Sequence, residues 1–161
     1  MEKKNVISGL ALDSNIAKVG ILKVPDQPGV AAKLFGALAK ENINVDMIIQ
    51  SIHAERNQAD MAFTVNRTEI KKAVEVTNKI AKTLKAGGVI SDPNVAKVSV
   101  VGVGMISQPG VAAKMFEALS DNNINIEMIS TSEIKISCVI KLENGEKAMK
   151  ILHDKFNLSK K

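Results

Sequence analysis

An internal repeat constrains this chain more than any other feature. The segment Gln27-Pro28-Gly29-Val30-Ala31-Ala32-Lys33-Leu34-Phe35 returns as Gln108-Pro109-Gly110-Val111-Ala112-Ala113-Lys114-Met115-Phe116, an offset of 81 residues. The offset then holds: Ala37-Leu38 matches Ala118-Leu119, Asn42-Ile43-Asn44-Val45-Asp46-Met47-Ile48 matches Asn123-Ile124-Asn125-Ile126-Glu127-Met128-Ile129, and Ser51 matches Ser132. A period this long means that one supersecondary unit is used twice. Two copies of one module make up the 161 residues.

Each copy opens with an apolar run, Val19 to Val24 and Val98 to Val103, followed by a turn and a Pro-Gly. Val30, Leu34, Ala37 and Leu38 recur at three- and four-residue steps, as do Val111, Met115, Ala118 and Leu119, so each Pro-Gly introduces a helix. Pro28 and Pro109 suit its first turn. An Asn-Ile-Asn segment ends it. A hairpin is then predicted from Met47 to His53 and Ala59 to Val65 across Glu55-Arg56-Asn57-Gln58, answered by Met128 to Ser132 and Ile134 to Leu142. A second amphipathic helix follows, from about Thr68 to Leu84 with Ile70, Val74, Thr77 and Ile80 inward. Its counterpart runs from about Gly145 to His153 with Ala148, Ile151 and Leu152 inward.

The first copy continues into a fourth strand at Gly88-Val89-Ile90-Ser91, whereas the second stops at Phe156-Asn157-Leu158-Ser159-Lys160-Lys161. Val6-Ile7-Ser8-Gly9-Leu10-Ala11-Leu12 resembles Val89-Ile90-Ser91, so the N-terminal strand is expected to complete the second module. The order strand-helix-strand-strand-helix-strand is the ferredoxin-like βαββαβ arrangement, of α+β class. Each module should be an antiparallel four-stranded sheet with two helices on one face. The expected boundaries are residues 14–93 for the first module and 94–161, completed by 5–13, for the second. Sheet edges and bare faces make dimerisation the expectation.

Composition narrows the function. No run of 18 or more apolar residues exists to cross a membrane, and the N-terminal Met1-Glu2-Lys3-Lys4-Asn5-Val6 lacks the apolar core of a signal peptide, so a cytoplasmic protein without membrane contact is expected. The net charge of +5 comes from scattered lysines, with Arg56 and Arg67 the only arginines, and there is no Trp or Tyr to stack on bases; nucleic acid is not expected as a partner. Cys138, between Ser137 and Val139, reads as a core thiol. His53 and His153 have no neighbour at ligand spacing, so no metal is expected. Gly102-Val103-Gly104 follows a strand, but Ser107 stands where a dinucleotide loop needs its third glycine. No catalytic constellation emerges, and the chain is not expected to catalyse a reaction by itself.

What remains is Asp26-Gln27-Pro28-Gly29-Val30-Ala31, which sets the free amides of a helix start beside an acid. A free amino acid fits that pairing: its carboxylate on the amides of Gly29, Val30 and Ala31 at the positive helix end, its ammonium against Asp26. Asp26 as a mere helix cap is an equal alternative at this point. In the second copy Ser107 replaces Asp26, leaving amide donors at Gly110, Val111 and Ala112 without the acid.

The turn Pro25 to Ala31, the segment Asn42 to Gln50 and above all Asn123-Ile124-Asn125-Ile126-Glu127-Met128-Ile129-Ser130-Thr131-Ser132-Glu133-Ile134-Lys135-Ile136-Ser137 resemble the tandem ACT regulatory region of bacterial aspartate kinases. The likeness runs from about Val6 to Leu158, and its Ile-Ser-Thr-Ser-Glu-Ile segment is specific to aspartate kinases among ACT proteins. It implies a regulatory β subunit, or the C-terminal regulatory part, of the enzyme that phosphorylates the aspartate β-carboxylate. ATP and magnesium belong to the kinase domain, which is not in this chain. The family is feedback-inhibited by threonine, lysine or both, bound where the first module of one chain meets the second module of another. Matched by position, Asp26, Gly29, Val30, Ala31, Asn44 and Gln50 form one side of that site, and Val111, Ala112, Asn125, Ile126, Ser132 and Glu133 the other. The implied partners are the effector, a second copy of the chain and the kinase catalytic domain or α subunit. Asn44 and Asn125 serving only the turn backbone, a stand-alone ACT amino-acid sensor, and an assembly scaffold docking on another protein are the competing readings.

Overall fold

A computed structural model describes residues 7–51, 57–103 and 109–158. Its elements in chain order are β1 (Ile7–Pro25), α1 (Val30–Lys40), β2 (Val45–Gln50), β3 (Gln58–Asn66), α2 (Ile70–Leu84), β4 (Gly88–Gly102), α3 (Val111–Asp121), β5 (Met128–Thr131), β6 (Lys135–Lys141) and α4 (Gly145–Lys155). Short 3-10 turns at Arg67–Glu69 and Leu142–Asn144 lead into α2 and α4. The residues form two compact units, Asn15–Pro93 and those up to Ser14 together with those from Asn94 on.

Two strands are longer than the apolar runs announce. The runs 7–12 and 19–24 are one 19-residue strand, β1, and 88–91 and 98–102 belong to one 15-residue strand, β4. Asp13, Ser14 and Asn15 interrupt the apolar pattern but are exposed, and polar side chains facing water do not end an extended backbone. Both strands pass from one unit into the other. Within the first module the strand order is β2-β3-β1-β4, within the second β1-β4-β6-β5. The β2/β3 and β5/β6 hairpins are antiparallel. The first hairpin's turn includes His53, Glu55 and Arg56, which lie outside the described residues.

Each module buries its two helices against one face of its strands. In the first, Leu34 and Leu38 of α1 and Ala73 and Ala81 of α2 join Val19, Ile21, Met61, Phe63 and Val65 in one core. In the second, Met115, Leu119, Ala148 and Leu152 join Ile7, Val98, Val100, Ile136, Cys138 and Ile140. The inward stripe of α2 is centred on Ala73, Thr77 and Ala81, with Ile70, Val74 and Ile80 half-buried beside it. In α4 the buried residues are Gly145, Ala148 and Leu152, and Ile151 is half-buried. The small central residues let each helix approach the sheet closely, and the larger ones fill the flanks.

The repeated turns have specific causes. Gly29 and Gly110 precede α1 and α3 with φ of 92° and 98°, left-handed values that exclude most side chains. Pro28 and Pro109 therefore stand one residue ahead of the cap, in the turn, and not in the first helical turn as the pattern suggested. At the other end Asn42 and Asn123 each take φ of 59°. Ile43 N–H donates to Leu38 O at 3.1 Å and Ile124 N–H to Leu119 O at 2.9 Å, the six-to-one bond that closes a helix through a left-handed residue.

Candidate functional site

β1 leaves the first module's sheet at Pro25 and turns through residues 26–29 into α1. Asp26 N–H donates to Asn57 O at 2.7 Å, and Gln27 N–H to Pro25 O at 3.1 Å. Gly29 is the N-cap, and among the described residues no side chain caps α1. Asp26 is thus not a helix cap, which removes one of the two readings open from sequence. Its side chain is on an exposed residue at the rim of a depression of about 420 Å³. Asp26, Gln27 and Gln50 supply that depression with polar groups, while Val24, Ala59 and Met61, each at most 3% exposed, form an apolar floor. Gly29, Val30 and Ala31 complete the wall. The amides that open a helix have no carbonyl four residues back, and the same helix end carries a partial positive charge.

Five expected residues, Asp26, Gly29, Val30, Ala31 and Gln50, therefore share one concavity. Asn44 is not among its walls; it is exposed just before β2. The expected residues of the second module do not converge within it. Val111 and Ala112 are half-buried in the first turn of α3. Asn125 and Ile126 line another depression, of about 370 Å³, with Phe116, Ser120, Asn123 and Ile124 at the end of α3. Ser132 and Glu133 lie in the tight β5/β6 turn, where Ser132 N–H donates to Lys135 O at 2.8 Å and Ile134 N–H to Ser132 Oγ at 3.4 Å. Ser107, the counterpart of Asp26, lies outside the described residues.

Sequence reasoning missed the floor, because Val24, Ala59 and Met61 carry no polar signal. It also missed Asn57, whose carbonyl holds the turn. One signal was present: alternation along β1 breaks after Ile21, with Lys23 where an inward residue is due and Val24 inward instead.

The remaining candidates settle into structural places. Gly102 is the last residue of β4 and its N–H donates to Ile134 O at 2.8 Å, so it serves the sheet, while Gly104 lies outside the described residues. Cys138 is fully buried, and burial pushes its thiol up to about 12. Among the described residues no group of His, Cys, Asp or Glu is placed to hold a metal ion, and no helix is long and apolar enough to cross a membrane.

Two models of the ACT domain match residues 19–84 and 98–156. An aspartate kinase of Stutzerimonas stutzeri is 50% identical over 153 residues, covering 95% of this chain and 37% of that protein. An aspartokinase of Thermus thermophilus is 44% identical, covering 99% of this chain and 40% of that protein. The chain thus spans about two fifths of the length of these relatives. A crystal structure of the regulatory subunit of aspartate kinase from Thermus thermophilus superposes with a TM-score of 0.88 at 44% identity, over 94% of this chain and 99% of that one.

Proposed function

We propose, on the premise that this chain belongs to the ACT-domain family as the regulatory region of an aspartate kinase, that its first module binds an end-product amino acid and thereby lowers the activity of the kinase it serves. The observation that carries this reading is the depression of the first module. One rim holds the carboxylate of Asp26, the wall holds first-turn amides from Gly29 onward, and the floor is apolar. An α-amino acid presents the complementary set: an ammonium for the acid, a carboxylate for the amides and a small side chain for the floor.

Threonine, lysine or both are the effectors that the family resemblance implies. In this reading Gln50 meets the effector's side chain and Asn44 lies nearby. Val111, Ala112, Asn125, Ile126, Ser132 and Glu133 of a second copy close the site, which makes the chain a homodimer through its ACT modules. The catalytic domain or α subunit of the kinase is the remaining partner, in the cytoplasm. Regulation is a population shift. The effector binds one arrangement of paired modules more tightly, and the kinase is less active in it; the inhibition attainable is bounded by that difference in affinity.

Calorimetric titration with threonine and with lysine tests the site. The wild-type chain is expected to bind at least one of them, and Asp26→Ala to weaken that binding by about tenfold or more, the loss of a charged hydrogen bond. Its melting temperature should hardly move, since Asp26 is exposed. Equal affinity in the variant would refute the ammonium role.

A further inference from the structure

We infer that Asp60 is the positioning residue of this pocket: it holds a one-residue bulge in β1 that turns Val24 inward and aims the turn bearing Asp26 and the helix-start amides. The inference rests on the pocket reading above and goes to how the pocket is built.

Along β1, Val19 and Ile21 are buried, so the next inward position of an unbroken strand is Lys23. The register shows why Lys23 does not enter the core. Ile21 stands opposite Met61 and Val24 opposite Ala59, so β1 advances three residues while β3 advances two. The extra residue puts Lys23 outside and Val24, 1% exposed, into the pocket floor. To make that bulge Lys23 takes φ of 52°, a left-handed value strained for a residue with a Cβ. Its amide, displaced from the ladder, donates to Asp60 Oδ1 at 2.8 Å.

Asp60 is itself fixed at the mouth of the β2/β3 hairpin. Its N–H donates to Ser51 Oγ at 3.1 Å, and Ser51 N–H donates to Asp60 O at 2.9 Å. The carboxylate thus ties the bulge to the strand ends that carry Gln50, Ala59 and Met61, which line the pocket. On the other side Gly87 N–H donates to Leu22 O at 2.7 Å, and the stem of Lys23 lies over Gly87, where a Cβ would come within 2.9 Å of it.

Among the described residues the second module shows no such device. Val95–Val101 pair one to one with Lys141–Lys135, without a shift. Val19 and Val98 stand opposite Phe63 and Cys138 respectively, so Lys23 corresponds to Gly102, which stays in the ladder. The bulge belongs to the module whose turn carries the acid.

The test compares Asp60→Ala, Asp60→Asn and the double variant Asp60→Ala with Lys23→Gly in the full chain, read by calorimetry with threonine and lysine and by backbone amide resonances of the unliganded protein. Asp60→Ala should weaken binding by roughly tenfold and move the resonances of Val24 and Gly29 to Ala31. Asp60→Asn keeps an acceptor for Lys23 N–H and should stay near wild type. The double variant should recover to within about threefold, because glycine takes a left-handed φ without support. Wild-type affinity and resonances in Asp60→Ala, or no rescue by Lys23→Gly, would overturn the inference. Should Asp60→Ala fail to fold, the double variant is expected to fold and bind, and its failure would count equally against Asp60. A wild-type chain that binds neither amino acid overturns the pocket reading, and the resonances still decide the role of Asp60.

Discussion

Two buried threonines show how much a single partner matters. Thr64 is fully buried, and its Oγ1 accepts from Met47 N–H at 3.0 Å where the β2/β3 register shifts between Val45 and Ile48. Thr77 is equally buried, yet its Oγ1 has no hydrogen-bond partner among the described residues. Valine is close in shape to threonine at both positions. Thr64→Val leaves a buried amide unpaired and should lower unfolding free energy by about 1–3 kcal/mol, while Thr77→Val should be neutral or stabilising; chemical denaturation of the two variants checks the opposite signs. Cys138 yields a pH dependence. Its thiol is raised in the fold to about 12 by burial, so the fold favours the protonated form. That contribution is fully present below the unfolded thiol's pKa of about 8.5 and is lost as pH rises toward the folded value. At pH 8 the native chain should resist thiol reagents and react only on unfolding; rapid native labelling would show that Cys138 is not the inert core thiol described.

At the scale of elements, the helices, hairpins and helix-facing residues were legible because periodicity and repetition reinforce each other. The Pro-Gly and Asn-Ile segments were legible as turns, but not their division of labour. The capping asparagines are Asn42 and Asn123, two residues earlier than the Asn44 and Asn125 carried over by resemblance. The bulge at Lys23 was not read, although Lys23 beside Val24 signals it, because a lone charged residue at a strand end also fits fraying. The continuity of β1 and β4 was hidden by exposed polar residues at their centres. It has a consequence: the first half of β1 supplies Ile7, 6% exposed, and Leu10 to the second module's core, and Leu12 lies against Gly145 at the start of α4. A chain lacking residues 1–14 should lose at least about 2 kcal/mol in the second module, from the burial of Ile7 alone. Hydrogen exchange would then rise first at β4, β6 and α4, and unchanged protection there would contradict this role of the strand.

At the scale of the molecule, the modules are similar in fold and different in equipment. The first has the acid, the bulge and a long hairpin whose Asn57 carbonyl holds the turn; the second has a tight hairpin and an unshifted strand. Phe63 packs edge-on to Phe35 with ring centres 5.4 Å apart, while Cys138 occupies the matching place in the second core. In the function proposed above, the first module of one copy would supply the acid and the amides, and the second module of another the residues that close the site. The most direct test of that account is thermal unfolding of the chain by circular dichroism, with threonine and lysine added separately at millimolar concentration. An effector at about 100 times its dissociation constant should add about 2.7 kcal/mol and raise the midpoint by several degrees. That rise is expected with at least one of the two, and its loss in Asp26→Ala; a midpoint that neither amino acid moves, in a sample shown to be dimeric, would contradict effector binding by the first module.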